Sequence, residues 1–241
     1  MAENHVRTSF ADSIIADNLS LVRTRISATC NRYGRDTNSV RLVAISKTKP
    51  VATVRAAFEA GQLDFGENQV QDALTKIPQF KKPELNWHFI GPLQSNKTKH
   101  LPENFDWWHT LNRIDLAQRV SSKALEINKP VNALIQVNVI NDTAKSGVSG
   151  NNLSLLIEQL LENNLIGIRL RGLMTIGPYG GSETELRECF SELRRLLDTN
   201  RQQFDLAGFD QLSMGMTDDM EQAIAEGATM VRVGSAIFGS R

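Results

Sequence analysis

Hydrophobic and polar residues follow two periods along this chain. Between Phe10 and Tyr33 the apolar residues Ile14, Ile15, Leu19, Val22 and Ile26 recur at helical spacing, and Gly34 follows where a helix would stop. An N-terminal helix is therefore predicted over 10–33, either covering one end of the domain or meeting another subunit. Residues 41–47 (RLVAISK) form a short apolar run ended by Pro50, and a helical stretch over 54–60 is closed by Gly61, which completes one strand–helix unit. The alternation repeats through 64–68 (DFGEN), 87–92 (WHFIGP), 107–112 (WWHTLN), 132–139 (NALIQVNV), 169–177 (RLRGLMTIG), 211–216 (QLSMGM) and 230–238 (MVRVGSAIF). Helices are predicted between the strands, including 152–163, 183–201 and 218–225.

Eight strands alternating with helices fit a closed (β/α)8 TIM barrel or a doubly wound open sheet. The count favours the barrel, and no GxGxxG follows the first strand to argue for a dinucleotide-binding sheet. With 241 residues and no proline-rich linker or low-complexity segment, one domain over 1–241 is expected.

Composition narrows the partners. Lys plus Arg and Asp plus Glu each number 27, so nothing in the total charge suggests nucleic acid or an acidic membrane, and a small molecule is the expected partner. Cys30 and Cys189 are the only cysteines; they form no metal-ligand spacing and no disulfide framework, which fits a reducing cytoplasm. The first residues mix acids with short apolar stretches, unlike a signal peptide or a membrane span.

In a barrel the chemistry sits where strands end. Lys47 closes the first predicted strand, and with a period of two it shares a face with Val43 and Ile45. An amine at the end of an apolar row is partly desolvated, which favours the neutral, nucleophilic form that attacks an aldehyde, and Lys49 would push the same way if it points inward. Position alone favours a solvated lysine at a strand end, which is the commoner case, so context has to decide.

The last two units read SMGMTDD and VGSAIFG, where barrels often build a phosphate site. Gly234 would let the backbone approach an anion, with Ser235, Ser213 and the amide of Met214 as donors; ordinary turn and cap roles are the alternative. Neither loop is a GxxxxGK[ST] loop, so one phosphate group is expected rather than a triphosphate. Arg232 lies in the apolar run MVRVG, so a barrel-facing guanidinium needs a partner. That partner is either a carboxylate such as Glu67 or the ring nitrogen of a bound cofactor, where a permanently charged donor favours an unprotonated pyridine.

The segments ISKTKP, FGEN, WHFIGPLQSNKTKHL, RGLMTI, SMGMTDDMEQAI and VRVGSAIFG, in order over residues 15–241, resemble the pyridoxal phosphate homeostasis protein family, relatives of the N-terminal barrel of alanine racemase. The resemblance implies the fold-type III barrel with an extra N-terminal helix and pyridoxal 5'-phosphate held as an internal aldimine, a Schiff base, on Lys47. By position it implies that Ser213, Met214, Gly234 and Ser235 take the phosphate, that Arg232 meets the pyridine nitrogen and that Asn68 lies beside the ring. It also implies a role in vitamin B6 homeostasis without dedicated turnover, with apo-enzymes as recipients. Two departures are Gln69, where many relatives have tyrosine, and an end at Arg241 without a short basic tail. His88, Lys49, Lys97 and Lys145 receive no role.

Two enzymatic readings stand beside the carrier. An amino-acid racemase needs a second base across the ring, and only Tyr33 and Tyr179 are available as tyrosines. A class I aldolase-like barrel also uses a Schiff-base lysine, usually deeper in the sequence. A monomer is expected, because nothing resembles a dimer-forming second domain.

Overall fold

The computed structural model describes residues 10–80 and 85–239. Residues 1–9 of the segment read for targeting, and the end at Arg241, lie outside the described residues.

Strands β1 (Arg41–Ile45), β2 (Asp64–Glu67), β3 (Asn86–Phe89), β4 (Trp107–Leu111), β5 (Val131–Asn138), β7 (Ile168–Met174), β8 (Gln211–Ser213) and β9 (Met230–Val233) pair in parallel in chain order. Pairing of β1 with β9 and of β4 with β5 closes the eight into a barrel, while the two-residue β6 (Val148–Ser149) adds to the end of β5 outside it. The helices are α1 (Phe10–Arg32), α2 (Val51–Glu59), α3 (Val70–Lys76), α4 (His100–Asn104), α5 (Ile114–Glu126), α6 (Gly150–Glu162), α7 (Glu183–Gln203), α8 (Met220–Ala225) and α9 (Ser235–Phe238). This is the closed (β/α)8 barrel that the strand count favours.

Strands covered on both faces are buried almost without interruption, as in β4, where every residue is buried. Outward-facing residues such as Phe65, Trp108, Ile135 and Val231 pack under the helices. Val43, Ile45, Trp107, Leu134, Met174 and Met230 form a smaller apolar cluster inside the barrel. The interior also contains polar groups, since Val43 sits opposite Arg232 and Gly66 opposite His88.

Helix α1 buries Ile15, Leu19, Val22 and Ile26 but leaves Ile14 exposed. It packs on the flank of the barrel against α2, α8 and α9 rather than over an end. Arg25 fastens it to the loop after β8, donating to Thr217 O at 3.0 Å and to Glu221 at 2.9 Å.

The strands stop earlier than apolar patterning suggests. β1 ends at Ile45, and β8 ends at Ser213. The stretch expected as one strand over 230–238 divides at Gly234 into β9 and α9. Apolar residues past a strand end are still buried because loops fold over the barrel mouth, so burial continues where ladder pairing does not.

Gly172 sits beside a register shift between β5 and β7 with φ 149°, and an added Cβ would meet Gln211 O at 1.9 Å. Gly172→Ala is therefore expected to lower unfolding stability by about 2 kcal/mol or more through overpacking and backbone strain. A wild-type denaturant midpoint for that variant would contradict this.

Candidate functional site

The carboxyl ends of the strands converge on a cavity of about 320 Å³ lined by Lys47, Ile90, Thr217, Arg232, Gly234 and Ser235, among others. It draws on the ends of β1, β3 and β9 and the loop after β8, the face on which barrels place their sites.

Lys47 lies two residues past β1, half-buried, and both of its neighbours are held. Ser46 Oγ donates to Glu67 Oε1 at 2.7 Å, and the Ser46 carbonyl accepts from Lys76 Nζ at 2.8 Å. On the other side the Thr48 amide donates to Asp72 Oδ2 at 3.0 Å. Thr48 has φ 64°, a left-handed backbone that costs a β-branched residue strain and persists only when the surroundings enforce it. One cation joins the two clamps, because Lys76 Nζ also donates to Glu67 Oε1 at 2.8 Å and to Asp72 Oδ2 at 2.9 Å. Burial pushes the Glu67 carboxyl up, against the pull of Lys76 and Ser46. Burial also acts to raise Asp72, but its bonds from Lys76 and the Thr48 amide outweigh this and hold it low.

Sequence reading missed this cluster, although Asp72 and Lys76 stand four apart on α3, the spacing of a helical ion pair. It also answers one alternative for Arg232: Glu67 is paired with Lys76 and not with the arginine.

Arg232 is 4 % exposed and points into the barrel, where Nη1 donates to Ser213 Oγ at 2.7 Å and Nη2 to Thr175 O at 2.8 Å. Among the described residues no carboxylate forms an ion pair with it. Burial pulls it down to about 10, partly opposed by Asp219, so it remains a cation at neutral pH.

Two of the four expected phosphate ligands are at the cavity and two are not. Gly234 and Ser235 line it, and Gly234 passes so close to β1 that an added Cβ would lie 3.3 Å from Ile45 O. Ser213 instead lies on the inner face of β8, fully buried, bonded to Arg232 and to His109 Nδ1 at 2.9 Å. The Met214 amide is used in the sheet, donating to Met230 O at 3.1 Å, and its side chain is buried beneath the helices. Thr217, which sequence reading passed over, stands at the mouth in their place; its Oγ1 accepts from Ser235 Oγ at 3.1 Å and joins the two loops. Asn68 follows β2, half-buried, and lines a neighbouring depression with Gln69, Gln94 and Lys97.

The unassigned residues also find places. His88 is enclosed in the barrel interior, Lys145 Nζ donates to Gly177 O at 2.7 Å, and Lys49 Nζ donates to Phe238 O and Gly239 O at the end of α9.

Residues 18–241 match the family model described as alanine racemase, N-terminal domain. The chain is 46 % identical over 230 residues to the pyridoxal phosphate homeostasis protein of Pseudomonas aeruginosa, covering 95 % of this chain and 96 % of the relative. It is 43 % identical over 237 residues to the protein of the same name from Escherichia coli K12, covering 94 % and 97 %. Among solved structures it is similar to PipY of Synechococcus elongatus PCC7942 with PLP bound, at 36 % identity and a TM-score of 0.83 over 93 % of this chain and 100 % of that one. Alanine racemase of Clostridium difficile 630 shares the fold at 12 % identity, with a TM-score of 0.74 over 93 % of this chain and 57 % of the racemase. The chain belongs to the pyridoxal phosphate homeostasis protein family, whose barrel is that of the alanine racemase N-terminal domain.

Proposed function

We propose that this chain holds pyridoxal 5'-phosphate as a Schiff base on Lys47 and serves cofactor homeostasis in the cytoplasm, storing the reactive aldehyde and releasing it to apo-enzymes. The observation that carries this reading is a buried cation, Arg232, that forms no ion pair among the described residues and lines the same cavity as a clamped lysine. A buried charge without a counterion is costly unless a ligand completes its environment. The volume is within the range of about 300–1,000 Å³ usual for small-ligand sites.

The residues fit the cofactor. When bound, it supplies an aldehyde to the lysine and a pyridine ring whose strength as an electron sink depends on protonation of its nitrogen. Lys47 provides the amine. Arg232 is a donor that keeps its own proton, so a ring nitrogen facing it stays unprotonated and carbanion chemistry is disfavoured. Ser235 and Thr217 offer hydroxyls to the phosphate, and Gly234 keeps the end of β9 close to β1. The relative from Synechococcus, whose structure was solved with PLP bound, supports the cofactor.

Carrier is favoured over racemase by where the tyrosines lie. The Tyr33 hydroxyl accepts from Arg187 at 3.3 Å on the outer surface, and Tyr179 is fully exposed in the loop after β7. Neither lines the cavity with Lys47.

The reading is tested by incubating the protein with pyridoxal phosphate, reducing with borohydride and locating the adduct by mass spectrometry. A pyridoxyl group on Lys47 is expected; a protein that takes up no cofactor would overturn it. Ser235→Ala and Thr217→Val are each expected to weaken pyridoxal phosphate binding about tenfold or more, since a hydrogen bond to a charged group is worth about 1.5–3 kcal/mol. Pyridoxal, which lacks the phosphate, should bind both variants like the wild type. Equal losses for the two compounds would remove the hydroxyls from the phosphate site.

A further inference from the structure

An unbroken line of polar side chains crosses the barrel interior from the cavity to the opposite end. Arg232 Nη1 meets Ser213 Oγ at 2.7 Å, Ser213 Oγ meets His109 Nδ1 at 2.9 Å, His109 Nε2 meets His88 Nδ1 at 2.8 Å, and His88 Nε2 meets Asp64 Oδ1 at 3.0 Å. Ser213, His109 and His88 are each fully buried, and Asp64 begins β2 at the far rim, with Arg41 Nη1 at 3.6 Å.

The ends of this line determine its middle. A guanidinium can only donate and an ionised carboxylate can only accept. Burial pushes both imidazoles down, His109 well below its ordinary value, so each ring is neutral and has one proton at neutral pH. Asp64 then requires the His88 proton on Nε2, which leaves His88 Nδ1 to accept from His109 Nε2. His109 Nδ1 in turn accepts from the Ser213 hydroxyl, whose oxygen accepts from Arg232. Reversing either tautomer would set an unprotonated nitrogen against the carboxylate or leave a link without a proton. Every dipole therefore points the same way, with donors toward Asp64, and such chains strengthen each member. His88 is further fixed by stacking on Trp107, with rings 8° from parallel and centroids 5.8 Å apart.

We propose that Ser213 and His109 are positioning residues for Arg232, the upper links of a one-way hydrogen-bond chain that runs through the barrel to Asp64 and aims the guanidinium at the cofactor ring. The proposal rests on the cofactor reading above and gives Ser213 a role in place of the phosphate contact its sequence position suggests. The Ser213 oxygen holds one guanidinium nitrogen and the Thr175 carbonyl holds another, so the plane of the group is set before any ligand arrives.

Two measurements test it. In the ligand-free protein, imidazole nitrogen NMR is expected to find His88 and His109 both neutral with the proton on Nε2; an Nδ1 proton on either ring, or a charged ring, would overturn the chain. With ligand, Ser213→Ala is expected to weaken both pyridoxal phosphate and pyridoxal about tenfold and to move the absorbance of the bound cofactor in the same direction as Arg232→Ala measured beside it. His109→Leu should do the same, and His109→Gln, which keeps an acceptor for Ser213 and a donor for His88, should restore the wild-type spectrum. A Ser213→Ala loss confined to pyridoxal phosphate would make Ser213 a phosphate ligand and overturn the proposal. So would wild-type affinity and spectrum in Ser213→Ala. Wild-type protein that binds neither compound would instead overturn the cofactor reading itself.

Discussion

Lys47→Ala is expected to abolish covalent capture of pyridoxal phosphate while leaving the protein as stable as the wild type. The two effects separate because the groups that hold the loop are not those of the lysine side chain. Ser46 is held by its carbonyl and hydroxyl and Thr48 by its amide, and all three survive the substitution. Truncation of a half-buried side chain away from the packed layers should change unfolding free energy by no more than about 0.5 kcal/mol. Arg232, Ser235 and Thr217 remain in place, so weak, reversible binding should persist. Borohydride-fixed adduct, counted by mass spectrometry, and the denaturant midpoint check the two halves. Adduct at wild-type yield on Lys49, which lines the same cavity, would transfer the role to that residue.

How much of this was legible in the sequence depends on the kind of information each feature needs. The barrel could be read because each strand is a short apolar run bounded by turn residues, and that signal is local. Strand ends could not, since Lys47 and Met214 both follow apolar rows and only the folded chain shows that one reaches the mouth while the other spends its amide on Met230. Arg232 was conspicuous because a cation in an apolar strand breaks the pattern. Its surroundings were not, because Ser213, His109 and His88 are contributed by three different strands, and a serine or histidine in a strand has no local mark of facing inward. Thr217 escaped notice because a hydroxyl in SMGMTDD resembles any turn residue until the loop after β8 is brought against α9. Ile14 shows the converse, an apolar residue in an amphipathic pattern that ends up in solvent.

The largest loss of stability is expected from Lys76→Met. Lys76 is 2 % exposed, and it bonds both Glu67 and Asp72. Methionine fills similar space but strands Glu67, which is fully buried and whose Oε2 has no hydrogen-bond partner among the described residues even in the intact cluster. Removing one member of a buried pair costs about 3–5 kcal/mol because the other charge is left uncompensated. Glu67 can escape part of that cost by taking up a proton. Burial already raises its pKa above the ordinary 4.5, and loss of Lys76 removes the main opposing effect. The folded variant then binds a proton that the unfolded chain has released, so stability falls as pH rises from the ordinary carboxylate value toward the raised one, and below that window the penalty fades. The deficit relative to wild type should therefore be larger in mildly alkaline than in mildly acid buffer. Lys76→Met/Glu67→Leu, which removes both charges, should recover most of the loss. Chemical denaturation of the two variants at both pH values decides the matter: a deficit under about 1 kcal/mol, or one that ignores pH, would mean that the cluster does not hold an ionised Glu67 against Lys76. Because the same cation grips the Ser46 carbonyl and, through Asp72, the Thr48 amide, the single variant should also capture pyridoxal phosphate more slowly than wild type, with Lys47 itself untouched.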